Sequence, residues 1–358
     1  MSFVTLMTPA RFGRLDLANR VVMAPMTRSR ATPEGDVTDI MIEYYRQRAG
    51  AGLIVTEGVY PSEDGKGYCR TPGLVSAAQA AGWRRVTDAV HGEGGTIVMQ
   101  VMHVGRIAVA ANKQPDADTV APSAVAARAR LFTDRDGGSM QPCAEPRALA
   151  PNEILAVIDD YRRCTELAFE AGFDGVELHG TSGYLPAQFL STGTNHRNDE
   201  WGGSLAGRLR FFVEVVDAMA GVDGPGRVGF RICPGNPYND LRDDDPEETF
   251  RSLLAALDPI GLAYCHTIRM PSTGLDNELL CRQAWNGPLI VNDSYTPAEA
   301  DSALELGRAD AVSFGRLHIT NPDLAARIAA RAPLAPTEAE HIYSPGPRGY
   351  TDFAPMGG

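Results

Sequence analysis

The chain has 358 residues, with 45 acidic against 33 basic side chains and a net charge of -12. That balance excludes a nucleic acid or an anionic membrane as the main partner, since both call for clustered Lys and Arg. No apolar run approaches the roughly 18 residues of a membrane span, and the six cysteines are scattered without a C-x-x-C pair, so they read as reduced thiols. The first residues lack the basic flank and apolar core of a signal peptide, which with the rest predicts a cytoplasmic enzyme.

Taken in order, short apolar segments alternate with helical stretches. Residues 1–20 are turn-rich around Phe12-Gly13 and predict a hairpin that closes the bottom of the fold. Apolar segments then follow at Val21–Pro25, Leu53–Gly58, Thr96–His103, Val176–His179, Arg227–Cys233, Tyr264–Met270, Pro288–Asp293 and Ala311–Arg316. Between them lie helical patterns such as Asp39–Ala49, Ala77–His91 and Asn152–Ala171, the last of which stops at Gly172. Strands alternating with helices imply a parallel sheet, and eight such units predict an α/β fold of the (β/α)8 TIM-barrel type. An open doubly wound sheet is disfavoured because no G-x-G-x-x-G opens a helix after the first strand. Residues 104–150 break the alternation after strand three and predict a lid or subdomain inserted into one domain spanning 1–358. The Glu-rich stretch Asp243–Thr249 reads as a solvated helix face.

The most informative stretch is Gly175-Val-Glu-Leu-His-Gly-Thr-Ser-Gly-Tyr-Leu185. A buried strand ends at His179, and Gly180 and Gly183 permit a tight turn. An imidazole, the Ser182 hydroxyl and the Tyr184 phenol therefore leave one strand end together, where TIM barrels carry their reaction centres. The other strand ends add Thr27, Glu57, Gly58, Gln100, His103, Arg231, Asp293, Gly315 and Arg316. The set has few carboxylates and no paired histidines, so a caged metal ion is not expected. It also lacks a G-x-S-x-G elbow, which leaves covalent hydrolysis unsupported. An amide, two cations, hydroxyls and a phenol suit a flat heteroaromatic cofactor bearing a phosphate. Arg316 after Gly315 follows strand eight, a common phosphate position.

These segments resemble the old yellow enzyme family of FMN-dependent ene-reductases. The resemblance rests on Asn19-Arg-Val-Val-Met-Ala-Pro-Met-Thr-Arg28, Gly52-Leu-Ile-Val-Thr-Glu57, Ala171-Gly-Phe-Asp-Gly-Val-Glu-Leu-His179, Gly183-Tyr-Leu185, Phe314-Gly-Arg316, Asn321-Pro-Asp-Leu324 and Gly349-Tyr-Thr-Asp352, in that order. It implies FMN as cofactor and NAD(P)H as hydride donor. Ala24, Pro25, Met26 and Gly58 would border the flavin, and Thr27 would reach its O4. Gln100 would meet the pyrimidine edge and Arg231 the N1 and O2 atoms. Asn292, Asp293, Ser294, Gly315 and Arg316 would hold the phosphate. His179 and Ser182 would bind the carbonyl or nitro oxygen of an electron-poor alkene, and Tyr184 would protonate its α-carbon. Met102 and Tyr350 would line the substrate pocket, and the protein would be a monomer or homodimer.

Three positions depart from the family pattern. Ser182 stands where His or Asn is usual, Met102 where Trp is common, and Asp293 adds a negative charge where the phosphate would lie. They predict a wider pocket, weaker cofactor binding, and a specialised substrate or the reverse desaturation or isomerisation. His103 and His266 read as structural because neither has an evident carboxylate partner, and His196 as shaping a loop. The rival readings are a metal-dependent barrel hydrolase and a cofactor-depleted barrel that acts as a binding protein.

Overall fold

The computed structural model describes residues 3–337 and 340–356, so six residues of the expected 1–358 span lie outside the described residues. Eight parallel strands close into a barrel. They are β1 (Val21–Met23), β2 (Leu53–Val59), β3 (Ile97–Val101), β4 (Gly175–His179), β5 (Val228–Ile232), β6 (Tyr264–Ile268), β7 (Leu289–Asn292) and β8 (Ala311–Phe314). Each matches an expected apolar segment: β2 and β4 extend one residue beyond it, to Val59 and from Gly175, and the other six are shorter where the chain turns out of the ladder. Helices α1 (Asp39–Arg46), α2 (Ala77–Gly92), α3 (Pro151–Glu170), α4 (Leu205–Asp223), α5 (Pro246–Leu257), α6 (Asn277–Ala284), α7 (Pro297–Glu305) and α8 (Leu324–Ala330) alternate with them. The strands are buried nearly throughout, which explains why they read as continuous apolar runs and not as alternating ones.

Local chemistry sets the element ends. Thr296 and Glu299 form a reciprocal capping box at the start of α7, where Pro297 costs no hydrogen bond. The Asp243–Thr249 expectation is corrected in register: α5 begins only at Pro246, and Asp245 caps it by accepting from Glu248 N. The N-terminal hairpin pairs Ala10–Phe12 with Leu15–Leu17. Its Phe12, Leu15 and Leu17 pack onto Val22, Leu53, Val98, Ile290 and Ala311, so it plugs the barrel's lower end. The excursion after β3 holds an antiparallel hairpin, Arg130–Thr133 with Ser139–Pro142, and a short parallel pair, Val120–Ala121 with Arg147–Ala148.

One register feature aims the mouth. Val55 pairs with Val98, but Gly58 pairs with Gln100, so β2 carries an extra residue between those two rungs. A bulge of this kind bends a strand and redirects its side chains. The Thr56 hydroxyl fills the irregularity by accepting from Gln100 N at 3.0 Å. Next to it, the Glu57 carboxylate accepts from Tyr45 Oη and Arg28 N, both at 3.3 Å. Burial raises the Glu57 carboxyl to about 7 against those favourable bonds. A carboxyl whose folded value lies above its unfolded one stabilises the fold fully below the unfolded value. That contribution is lost as pH rises through the folded value. For this shift the loss is on the order of 3 kcal/mol. We predict that Glu57→Gln narrows the difference in melting temperature between about pH 5 and about pH 8. An unchanged difference in thermal denaturation would contradict this origin.

Candidate functional site at the barrel mouth

The carboxyl ends of the strands bring most of the expected residues to one place. His179 and Arg231 sit opposite each other across the β4–β5 ladder, and Gly58 sits opposite Gln100 across β2–β3. Gly180 is needed for the first of these. Its amide donates to Arg231 O at 2.8 Å, and a Cβ there would stand 2.3 Å from the Phe212 ring. Likewise a Cβ on Gly58 would collide with Met102 Sδ at 2.4 Å, so this pair fixes how closely β2 approaches the mouth.

His179 is buried, and its Nδ1 lies 3.4 Å from the Thr181 amide, which donates to it. Nδ1 is thus the acceptor and Nε2 carries the proton, a neutral ring with one N–H to offer. Burial, with the Arg231 charge adding to it, lowers the imidazole to about 3. The Tyr184 ring meets His179 edge-on, with centroids 4.8 Å apart. Its phenol is pushed well above its ordinary value, chiefly by burial and then by neighbouring phenols. Tyr68 Oη lies 2.9 Å from Tyr184 Oη, and burial lifts the Tyr68 phenol to about 12. Ser182 adopts a left-handed conformation with φ 58°, and its carbonyl accepts from Asn239 Nδ2 at 2.8 Å. Asn favours that backbone region over Ser, so the turn is held by Gly183 and Asn239 and not by local preference.

Below these groups Arg231 is buried. Its Nη2 donates to Asn292 Oδ1 at 2.5 Å, while its buried Nε has no partner among the described residues. Gln100 donates through Nε2 to Glu177 Oε1 at 2.7 Å, and no bond to its Oε1 forms among the described residues. An orphaned donor on β5 and a free acceptor on β3 fit the N1/O2 and N3–H edge of a flavin. At the other side, Gly315 and Arg316 follow β8. Arg316 Nη2 donates to Asp293 Oδ1 at 3.3 Å and Ser294 Oγ at 3.0 Å. Asp293 and Ser294 both take positive φ, 83° and 57°, in a loop where glycine would be unstrained. Ala24, Pro25, Met26 and Thr27 continue from β1, and Met26 Sδ stands 3.3 Å from where a Gly315 Cβ would be. Met102 packs in the same apolar cluster as Tyr184.

Two expectations are corrected. Tyr350 does not line a pocket: it is 0% exposed and stacks on Tyr44 with centroids 4.0 Å apart, flanked by Arg28 and Arg30. The tail's tyrosine at the mouth is Tyr343, which is 62% exposed and whose phenol acts on that of Tyr184. Arg28, Arg30 and Arg70 bond the carbonyls of His341, Ile342 and Tyr343 and so place it there. His266 does have a carboxylate partner, since its Nδ1 lies 2.9 Å from Glu177 Oε2. His103 is buried with Nδ1 accepting from Gly105 N, as a structural histidine would be. Sequence reasoning also passed over Tyr68, in a loop, and Tyr238 and Asn239, in a single 3-10 turn too short to show periodicity. For Glu177 a signal existed, an acid in the middle of an apolar strand.

The neutral state of His179 leads to a spectroscopic prediction. The ¹⁵N shifts of its ring should show a single Nε2-protonated form, constant between about pH 5 and about pH 8. A titration midpoint inside that range would contradict the assignment.

Comparisons with known proteins agree with this geometry. A family model described as the NADH:flavin oxidoreductase / NADH oxidase family matches residues 5–335. The chain is 38% identical to a probable flavin mononucleotide-dependent alkene reductase of Leishmania infantum, over 98% of this chain and 98% of that one. It is 36% identical to 12-oxophytodienoate reductase 1 of Oryza sativa subsp. japonica, over 98% of this chain and 93% of the other. Among solved structures it is similar to morphinone reductase, with a TM-score of 0.94 and 42% identity, covering 99% of this chain and 98% of that chain. With an orphaned arginine and a free amide at the mouth of the same barrel, the chain belongs to the NADH:flavin oxidoreductase / NADH oxidase family, the old yellow enzyme family.

Proposed function

We propose that this protein reduces a carbon–carbon double bond conjugated to a carbonyl or nitro group, with FMN in the barrel mouth and NAD(P)H as electron source. The observation that carries this reading is the meeting of a neutral, N–H-bearing His179 with the Tyr184 phenol, 4.8 Å between ring centroids, beside the buried and unpaired Arg231 Nε. When bound, FMN supplies a hydride from N5 to the alkene's β-carbon.

The chain's own residues do the rest. His179 Nε2–H and the Ser182 hydroxyl donate to the substrate oxygen, where negative charge develops as the β-carbon is attacked. A neutral imidazole holds that role across the physiological range because its proton is not lost or gained there. Tyr184 gives its proton to the α-carbon, and Tyr68, 2.9 Å away and nearer solvent, returns one to it. Arg231 would balance charge at the flavin's N1 and O2, Gln100 Oε1 would accept at the pyrimidine edge, and Thr27 would serve O4. Ala24, Pro25, Met26 and Gly58 would border the ring, and the loop Asn292–Ser294 with Gly315 and Arg316 would take the phosphate. Tyr68, Tyr238 and Tyr343 form an aromatic rim. With Met102 and the short Ser182 beneath them, they suit a substrate bulkier than a simple enone.

Separate measurement of the two half-reactions tests the reading. In Tyr184→Phe, reoxidation of the reduced flavin by 2-cyclohexenone should slow by about 100-fold or more, while bleaching by NADPH stays within a factor of about two. Equal loss in both would remove Tyr184 as proton donor. The phosphate end has its own check. Asp293 occupies the Arg316 fork that the phosphate needs and holds a strained backbone. Asp293→Gly should therefore tighten FMN about 10-fold in a fluorescence titration, leaving riboflavin unchanged. Equal tightening of both flavins, or of neither, would contradict that placement.

A further inference from the structure

A chain of buried hydrogen bonds crosses the barrel beneath the mouth, and the roles proposed above use Gln100, Arg231 and the Asn292 loop but leave Glu177, His266 and Ser313 without one. From β3, Gln100 Nε2 donates to Glu177 Oε1 on β4 at 2.7 Å. From β6, His266 Nδ1 meets Glu177 Oε2 at 2.9 Å, and its Nε2 meets Ser313 Oγ on β8 at 2.8 Å. Since a carboxylate only accepts, Nδ1 carries the imidazole proton and Nε2 accepts from the serine hydroxyl. Ser313 O in turn accepts from Asn292 Nδ2 at 2.9 Å, and Asn292 Oδ1 accepts from Arg231 at 2.5 Å. The belt thus runs from Gln100 to Arg231 through six strands.

Glu177, His266 and Ser313 are all buried. A carboxylate in such a place costs several kcal/mol unless paired, and an apolar side chain would fill the same volume without that cost. Two consequences of its presence bear on the mouth. The bond from Gln100 Nε2 decides which way the amide faces, because a carboxylate takes the NH2 end and leaves Oε1 free. In addition, the Glu177 charge lies close enough to Arg231 to act on it, opposing the one fixed cation that the belt holds.

We propose that Glu177 is a positioning residue for the flavin. Through Gln100 it fixes the face that the amide turns to the cofactor, and through its charge it sets the flavin's reduction potential against Arg231. His266 and Ser313 tune that charge: the hydroxyl polarises the imidazole, and the imidazole shields the carboxylate. The proposal rests on FMN occupying the mouth as described above.

The potential of FMN-loaded protein, read by equilibration with a reference dye, tests it. Glu177→Gln keeps the shape and removes the anion, which favours the more negatively charged reduced flavin. The ratio of reduced to oxidised flavin at fixed potential should rise at least about 10-fold, about 30 mV positive for two electrons. Ser313→Ala should move the opposite way, about twofold to fivefold in that ratio, because the imidazole becomes a weaker donor and the carboxylate is less shielded. A merely structural role produces no shifts of opposite sign. Flavin-loaded variants that both stay at the wild-type potential would overturn this proposal alone. If Glu177→Gln fails to retain FMN, the sign of the Ser313→Ala shift decides it. A wild-type protein without flavin absorbance would remove this proposal and the function it rests on together.

Discussion

A carboxylate enclosed by an apolar barrel is tolerated only with donors on both oxygens, and meeting that constraint arranges the rest of the mouth. Glu177 receives Gln100 on one side and His266 on the other. Those bonds tie β3, β4 and β6 together at one depth, and Ser313 and Asn292 extend the tie to β8 and β7. Arg231 is left with a buried Nε that has no partner among the described residues, and Gln100 with an Oε1 that makes no bond among them. In a close-packed interior an uncommitted buried donor is costly unless something completes it. The barrel is in this sense built to be finished by a ligand with complementary edges.

A second constraint acts above the first. Arg28 and Arg30 are buried cations, and they are satisfied by tail carbonyls and by the faces of Tyr44 and Tyr350. The same bonds that solve their burial tie residues 341–349 to the barrel rim. Tyr350 is the packing half of that arrangement and Tyr343 the exposed half. Chemistry at the mouth and stability of the tail are therefore coupled through Arg28 and Arg30.

How much of this was legible in the sequence follows from the range of each interaction. Apolar strands of a parallel barrel are local and continuous, so all eight were readable, as was the exit of His179, Ser182 and Tyr184 from one strand end. The hairpin plug was readable from Gly13 and the apolar residues around it. The His266 partner was not, because it lies 89 residues away and only barrel closure brings it within 2.9 Å. Glu177 carried a local warning, since an acid flanked by Val176 and Leu178 must find a donor, but nothing local names which one. The choice of Tyr350 over Tyr343 failed for a related reason. In a Pro- and Gly-rich tail no periodicity assigns faces, and the outcome depends on which carbonyls three distant arginines hold. Asp293 stood out in the sequence as a negative charge near the expected phosphate position, and its pairing with Arg316, 23 residues away, was not readable there.

In the proposed function an orphaned arginine, an oriented amide and a neutral histidine at this mouth serve a redox-active flavin. The most direct measurement is the visible absorption spectrum of the purified protein, recorded before and after anaerobic addition of NADPH. The account predicts a flavin spectrum that bleaches on addition and returns when an electron-poor alkene is supplied. A colourless protein that FMN does not reconstitute, or a flavin band that NADPH leaves unchanged, would contradict it.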